Sequence, residues 1–340
     1  MIYPDNYEAK TGFDRIRAML ENLCYSPSAK ELTGKMAFSD DHGRISGLLG
    51  QAAEMKYILQ FIGNFPSQDY YDLTDELVRL KLPGTFAEPE TLSELKLSLI
   101  TITDIIRFLQ KLEHQDYPFL KALTPSGYPD PEIIRMIDSI IDDKSEIRDR
   151  ASDKLSGIRS NIQTRIKGAD RRINQILGTA RKEGVAADDA ELTIRNGRMV
   201  IPVAASNKRR LSGYIHDTSS TGQTVFIEPA EVFEINNEIQ NLRIEEKQEI
   251  ISILITFANN LRPHIAGLLG FYSFLGEIDF IRAKASLAIK MAAVKPRLNN
   301  VPLIRWQKSV HPILKVNLTL QGKEMVPLDL ELNNEQRILI

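Results

Sequence analysis

Five cations in one short stretch are the residues of this chain best placed to do chemistry. Between Leu192 and His216 stand Arg195, Arg198, Lys208, Arg209 and Arg210, with no acidic residue among them. Just upstream, Arg159, Arg165, Lys167, Arg171, Arg172, Arg181 and Lys182 meet only Asp170 between Arg159 and Lys182. The whole chain carries 43 Lys+Arg against 45 Asp+Glu, so this is local segregation of charge, not global basicity. Concentrated cations neutralise phosphates, and such contacts hold a backbone without reading bases. The competing reading is a solvated Lys and Arg face that serves solubility. Aromatic side chains are missing from the stretch before Tyr214, so base stacking is not indicated there.

No other cluster points to catalysis or to a metal. Asp138, Asp142, Asp143 and Glu146 fall at helical spacing and could hold magnesium, but Lys144 and Arg148 beside them make ordinary i,i+4 partners the simpler reading. His216-Asp217 could be a general-base pair, yet neighbours on a strand point to opposite faces, which favours Asp217 as a turn residue. Ser219, Ser220 and Thr221 have no lysine or histidine arranged to activate them. The single cysteine, Cys24, excludes an internal disulfide and any paired-cysteine zinc site, and reads as a small core residue. His42, His114, His216, His264 and His311 are scattered. A phosphate-cradling loop needs Gly-x-x-x-x-Gly-Lys-Ser/Thr. Gly34-Lys35 runs into Met36 and Gly322-Lys323 into Glu324, so neither fits.

The cations must be positioned by elements that the apolar spacing reveals. From Pro131 to Glu183 the residues Ile133, Ile137, Ile140, Ile147, Ala151, Leu155, Ile158, Ile162, Ile166, Ala169, Ile173, Ile176 and Ala180 recur at helical intervals, which predicts one long amphipathic arm. A matching stripe, Val232, Ile235, Ile239, Leu242, Glu246, Ile250, Ile253, Phe257 and Leu261, predicts a second helix running back against it. Between the arms the period changes to two. Asn196-Gly197 between alternating apolar residues predicts a hairpin with a type I′ turn. Further strands at Leu211 to His216 and Thr224 to Glu228 would complete a four-stranded meander. Pro202 cannot donate to a ladder and places its strand at an edge or marks a bulge. Before Pro131 the spacing predicts helices at Phe13 to Asn22, Arg44 to Phe61, Leu73 to Leu82 and Glu88 to Leu112, and after the second arm another at Pro263 to Lys290. No stretch approaches the ~18 apolar residues of a membrane span, and Met1-Ile-Tyr-Pro-Asp-Asn lacks the order of a signal peptide, so a soluble cytoplasmic protein is expected.

One string carries more than its physics. Gly213-Tyr-Ile-His216-Asp217-Thr-Ser219-Ser-Thr-Gly222-Gln-Thr224-Val-Phe226-Ile-Glu228-Pro229, followed by Glu234-Ile-Asn236-Asn237-Glu238 and Glu245-Glu246, resembles the clamp and returning lever of the MutS type-2 family. Phe13-Asp14-Arg15-Ile16 and Ser26-Pro27 look like that family's opening helix, with no room before them for a mismatch-recognition domain. The resemblance implies a mainly α fold: a helical core (1–130), an outgoing lever helix (131–185), a β clamp (186–229), a returning lever and core helix (230–293), and the truncated start of an α/β ATPase domain (294–340). The levers would form an antiparallel coiled-coil pair with the clamp at its tip. Ser309-Val-His311-Pro312 and Val326-Pro-Leu-Asp-Leu330 look like the first segments of the nucleotide-binding domain. Arg337-Ile-Leu-Ile340 reads as the strand that leads into the phosphate loop, so the resemblance implies an amino-terminal fragment without ATPase or nuclease machinery and without a cofactor of its own.

For the intact protein the resemblance implies ATP with magnesium, ATP hydrolysis, binding of branched or duplex DNA, suppression of homologous recombination, an appended Smr endonuclease domain and a homodimer. Members are also linked to splitting collided ribosomes, which makes rRNA a rival ligand. Three hypotheses stand. The first is a nucleic-acid clamp gripping phosphates through Arg195, Arg198, Lys208, Arg209, Arg210, Arg171, Arg172, Arg181 and Lys182. The second is a structural coiled-coil arm for dimer contacts. The third is a cryptic metal nuclease on the acids from Asp138 to Glu146.

Overall fold

The computed structural model describes residues 6–335. The predicted strand at 337–340 and the first five residues lie outside them. The described chain is mostly helical: α1 (Tyr7–Thr11), α2 (Phe13–Glu21), α3 (Pro27–Gly34), α4 (His42–Tyr57), α5 (Thr74–Leu80), α6 (Pro89–Lys111), α7 (Pro118–Leu123), α8 (Pro131–Ile140) and α9 (Asp153–Lys182) precede a sheet. That sheet is built from β1 (Thr193–Arg195), β2 (Arg198–Ala204), β3 (Gly213–Thr218) and β4 (Thr224–Pro229). Then come α10 (Ala230–Leu261), α11 (Ile265–Lys290), β5 (Ile304–Ser309), α12 (Pro312–Leu320) and β6 (Leu328–Leu332). The chain divides into two compact units, one made of the residues up to 82, 93–134 and those from 261 on, the other of 83–92 and 135–260.

The first unit is organised around α11, which packs against α2, α3, α4 and α5 and buries Leu268, Tyr272, Leu275 and Ile278, while the Tyr272 hydroxyl meets that of Ser98 in α6. One polar knot fixes its amino-terminal turn. Buried Asp279 accepts hydrogen bonds from the backbone N of Ser26 (2.7 Å) and Tyr25 (2.8 Å) and from Arg282 Nη2 (2.7 Å). Ser26 in turn caps α3, accepting from Ala29 N at 3.2 Å with Pro27 at the first helical position. Cys24 is buried beside Thr33, a core position. The short helices α1, α3 and α7 were not legible as periodic runs, because five to eight residues hold at most two turns of pattern. Further on, β5 and β6 pair antiparallel around α12, which has no buried residue. Within residues 230–290 one window is apolar enough by length and composition to cross a membrane, and half of it is buried inside the protein, as a core helix requires.

In the second unit the expected unbroken arm from 131 to 183 is in fact two helices. The break runs over residues 141–152, where Ile141 and Ile147 form an isolated bridge and Ser145 adopts φ of 63°. Its cause is local: the Asp142 carboxylate accepts from the backbone N–H of Glu146 and Lys144, both at 2.9 Å, offering the chain a turn that competes with the helix. Those two donors hold the Asp142 carboxyl below its ordinary range. Ser152 then starts α9 as its N-cap, accepting from Leu155 N at 3.0 Å.

From there α9 and α10 pack antiparallel through Ile158, Ile162 and Ile239, with Ile166, Ile235 and Leu242 partly buried around them. A ladder of ion pairs follows the same direction. Arg172 meets Glu231, Arg165 meets Glu238 at 3.0 Å, Arg159 meets Glu246 at 2.7 Å, and Lys154 meets Glu249 at 2.8 Å. At 1.5 Å per residue the 30 residues of α9 span about 45 Å.

The sheet order is β1-β2-β4-β3, so it is not the meander expected from the order of the strands in the chain. β2 pairs with β4 rather than with β3, and residues 205–212 carry the chain across to the far side of β4. The two-residue hairpin holds as expected, with φ of 51° at Asn196 and 75° at Gly197 and Arg195 facing Arg198. Pro202 lies where β2 is paired to β4 alone, since β1 pairs no further than Val200. That stretch of β2 is an edge on the β1 side, which is why a residue without an N–H is tolerated.

Candidate nucleic-acid interface

The last three turns of α9 back the sheet. Ala169, Ile173, Leu177 and Ala180 bury against Ile201 and Val203 of β2, Val225 and Ile227 of β4, and Val232 of α10. Alternation along a strand sends Ile201, Val203, Val225 and Ile227 to the α9 face and leaves Arg198, Phe226 and Glu228 on the other. α9 stops in a Schellman turn: Gly184 takes φ of 66°, Val185 N donates to Ala180 O at 2.8 Å and Gly184 N to Arg181 O at 3.0 Å. Val185 and Ala180 share the same apolar cluster, closing the turn.

That turn gathers one set of cations. Asn207 Nδ2 donates to the carbonyls of Gly184 (3.1 Å) and Val185 (3.3 Å), and Arg210 Nη2 donates to Glu183 O (2.9 Å). Ala205 N donates to Gln223 O at 2.8 Å, tying the same loop to the β3–β4 turn. The loop carrying Lys208, Arg209 and Arg210 thus runs from the β3–β4 turn, at Ala205, along the end of α9 that carries Lys182, to Gly213 at the opposite end of the sheet, where Arg210 lines a cavity with Arg172 and Glu231. All four cations are exposed, and the side chains of Lys182, Lys208 and Arg209 form no ion pair among the described residues. In the β3–β4 turn, Ser219 Oγ accepts from Thr224 N at 3.0 Å and Gly222 takes φ of 71°. These bonds shape a turn and leave Ser220 and Thr221 exposed.

The other predicted cations are engaged elsewhere. Arg195 pairs with Asp217 at 3.1 Å and lies 4.3 Å from the Phe226 ring centroid. Arg198 donates to both carboxylate oxygens of Glu228 (3.0 and 3.2 Å) and to Asn237 Oδ1 (3.0 Å). Arg181 Nη2 donates to Ala190 O at 2.6 Å, and its buried Nε has no partner among the described residues. Arg172 is held by Glu231, while exposed Arg171 bonds only the Lys167 carbonyl one turn back at 3.1 Å. The acid-free window of the sequence is thus not acid-free in space. Asp217 begins one residue after it ends, and Glu228 returns from β4 to Arg198.

Sequence reasoning missed what joins the motif residues. Glu228, fully buried, also lies 2.6 Å from His216 Nε2 and accepts from Asn236 Nδ2 at 2.6 Å. The expectation that His216 and Asp217 face opposite ways overlooked a bulge: Ile215 faces Ile227 and Asp217 faces Phe226, leaving His216 without a cross-strand partner of its own. The bulged His216 turns onto Glu228, and Asp217 onto Arg195. Only a pairing register could have revealed this, and registers are not written in local spacing. Pro229 ends β4 opposite Gly213. A Cβ on Gly213 would lie 2.1 Å from the Glu228 carbonyl oxygen. Gly213→Ala is accordingly expected to push β3 off β4 and to destabilise the sheet by about 2 kcal/mol, read as a lowered urea midpoint with faster amide exchange over residues 213–218.

Among the described residues no three His, Cys, Asp or Glu side chains are grouped so as to hold a metal ion. Of the acids from Asp138 to Glu146, Asp142 shapes the turn, its carboxylate accepting from the backbone N–H groups of Lys144 and Glu146.

No family model matches the chain. Curated relatives do. The chain is 30% identical over 330 residues to the Endonuclease MutS2 of Geobacillus sp. (strain WCH70), covering 96% of this chain and 41% of that protein. It is 29% identical over 330 residues to that of Finegoldia magna, covering 96% and 41%, and 31% identical over 325 residues to that of Clostridium botulinum (strain Alaska E43 / Type E3), covering 95% and 40%. The chain spans about two fifths of the length of these relatives.

Proposed function

Since the chain belongs to the MutS2 family, we propose that its four-stranded sheet is a clamp that grips the sugar–phosphate backbone of DNA, with α9 and α10 as the levers that carry it. The observation behind this reading is that Lys182, Lys208, Arg209 and Arg210, all exposed, lie at the end of α9 and on the loop that is hydrogen-bonded to its closing turn. Cations gathered on a hydrogen-bonded loop lose little freedom when a phosphate arrives. Nothing in that rim has the aromatic faces needed to stack bases, so duplex or branched DNA would be held by shape and charge. In a protein of the relatives' length, nucleotide hydrolysis with magnesium would open and close the grip, and an endonuclease domain would act on the DNA held. Recombination intermediates are the substrates this arrangement suits, and two chains would encircle them together.

Fluorescence anisotropy of the 340-residue chain with a four-way junction, a linear duplex and ribosomal particles tests the reading. Five exposed cations, counting Arg171, would give a slope of about −4 to −5 in log K against log salt for duplex. Raising salt from about 50 to 200 mM then weakens binding by roughly 500-fold. A structural arm would bind none of the three ligands, and a preference for ribosomal particles over both DNAs would reassign the ligand to rRNA.

A further inference from the structure

We infer that Glu228 is a positioning residue that fixes the orientation of the sheet, and with it the cation loop, on the first turns of α10. Its carboxylate is reached from three elements at once: by Arg198 of β2, by His216 of β3 and by Asn236 of α10. Arg198 continues to Asn237, also on α10, and its guanidinium lies 5.1 Å from the Phe233 ring centroid. Phe233 in turn packs on Tyr214 of β3 with ring centroids 4.1 Å apart. The sheet therefore meets α9 and α10 in two different ways. Against α9 it offers an aliphatic face, Ile201, Val203, Val225 and Ile227, whose burial is non-directional and tolerates small rotations. Against α10 it offers a charged, hydrogen-bonded ring that is satisfied in one geometry only.

The carboxylate at the centre of the ring is out of reach of a ligand. Glu228 is fully buried, and the side chains of Arg198 and His216 keep 23% and 18% of their exposure. Lys208, Arg209 and Arg210 follow β2 through the short turn at Ala205–Asn207, so β2 sets one attachment of the rim while the bonds to the end of α9 set the other. A residue that sets the first attachment acts on binding without contact, which is how a supporting shell holds a site to its working geometry.

This inference rests on the phosphate-gripping reading, and the test separates the two. Asn236→Ala with Asn237→Ala removes the hydrogen bonds from α10 to the ring and leaves Arg198 and His216 on Glu228, so the sheet keeps its own bonds. In the 340-residue chain, affinity for a 30-bp duplex is expected to fall about tenfold because the rim is held less firmly. The salt slope should stay within about 0.5 of the parent, because every cation is still present. Asn237→Asp, which keeps an acceptor for Arg198, should bind within about twofold of the parent. Amide exchange over residues 213–218 should quicken in the double variant even without DNA. Unchanged affinity in the double variant at a temperature where it is folded overturns the inference, as does a slope that falls with the affinity. If the parent chain binds no nucleic acid, the gripping reading fails, and exchange alone decides: unchanged exchange in the double variant then overturns the positioning role, and faster exchange supports it.

Discussion

Glu228→Ala is expected to destabilise the unit that holds the sheet by about 3–5 kcal/mol, the range for removing one partner of a buried charge pair. The cost is not the loss of one attraction. It comes from what is left behind: Arg198 with no carboxylate, His216 and Asn236 with no acceptor, in a region from which water is largely excluded. Glu228→Gln keeps the shape and one acceptor oxygen, so its cost should be nearer 1–2 kcal/mol. Urea unfolding followed by circular dichroism, with amide exchange over β2, β3 and β4 to assign the loss to this unit, distinguishes the pair. Equal midpoints for the parent and the alanine variant would mean that Arg198 turns out to solvent and the ring contributes little.

Changing Lys208, Arg209 and Arg210 together to alanine should act on the opposite quantity. Three fewer phosphate contacts lower the salt slope by about 2.7 and cost roughly 100-fold in duplex affinity near 100 mM salt. Stability and helix content should not move. The three side chains are exposed, and the one structural bond they make, from Arg210 Nη2 to the Glu183 carbonyl, lies at the surface. The loop's own turn is closed by backbone, Arg210 N to Asn207 O at 2.8 Å, which alanine retains. An unaltered slope would move the contact surface away from this rim.

Much of this could be read from residue order, and the gaps have physical causes. The Asn196-Gly197 turn was legible because only a few residues accept two consecutive positive φ values. The facing stripes of α9 and α10 were legible because one period governs each. The break at residues 141–152 was not, since Ile140, Ile147 and Ala151 continue the helical spacing across it while Asp142 stops the helix by capturing backbone N–H groups. The helical spacing runs through Ile176, yet it is the adjacent Leu177 that is buried in the sheet's backing while Ile176 is only partly so. The order β1-β2-β4-β3 and the bulge at His216 are facts of pairing between distant segments, which local patterns do not encode. For the candidate site, sequence located the cations but could not sort them. Lys208, Arg209 and Arg198 look alike in a string; only the fold brings Glu228 to one of them.

The ladder between α9 and α10 has a further implication for how these helices find their alignment. Arg165 and Arg172 are seven residues apart, as are Glu231 and Glu238, and Glu245 continues the series. A slip of one heptad would set Arg172 against Glu238 and Arg165 against Glu245, so these two rungs are interchangeable, and exposed ion pairs of this kind are each worth at most about 1 kcal/mol. Like a ruler with unnumbered marks, they enforce spacing but not the zero. The zero is supplied at the ends: by Ser152 and Lys154 closing on Glu249 at one, and by the aliphatic seat of the sheet on Ile173 and Leu177 at the other.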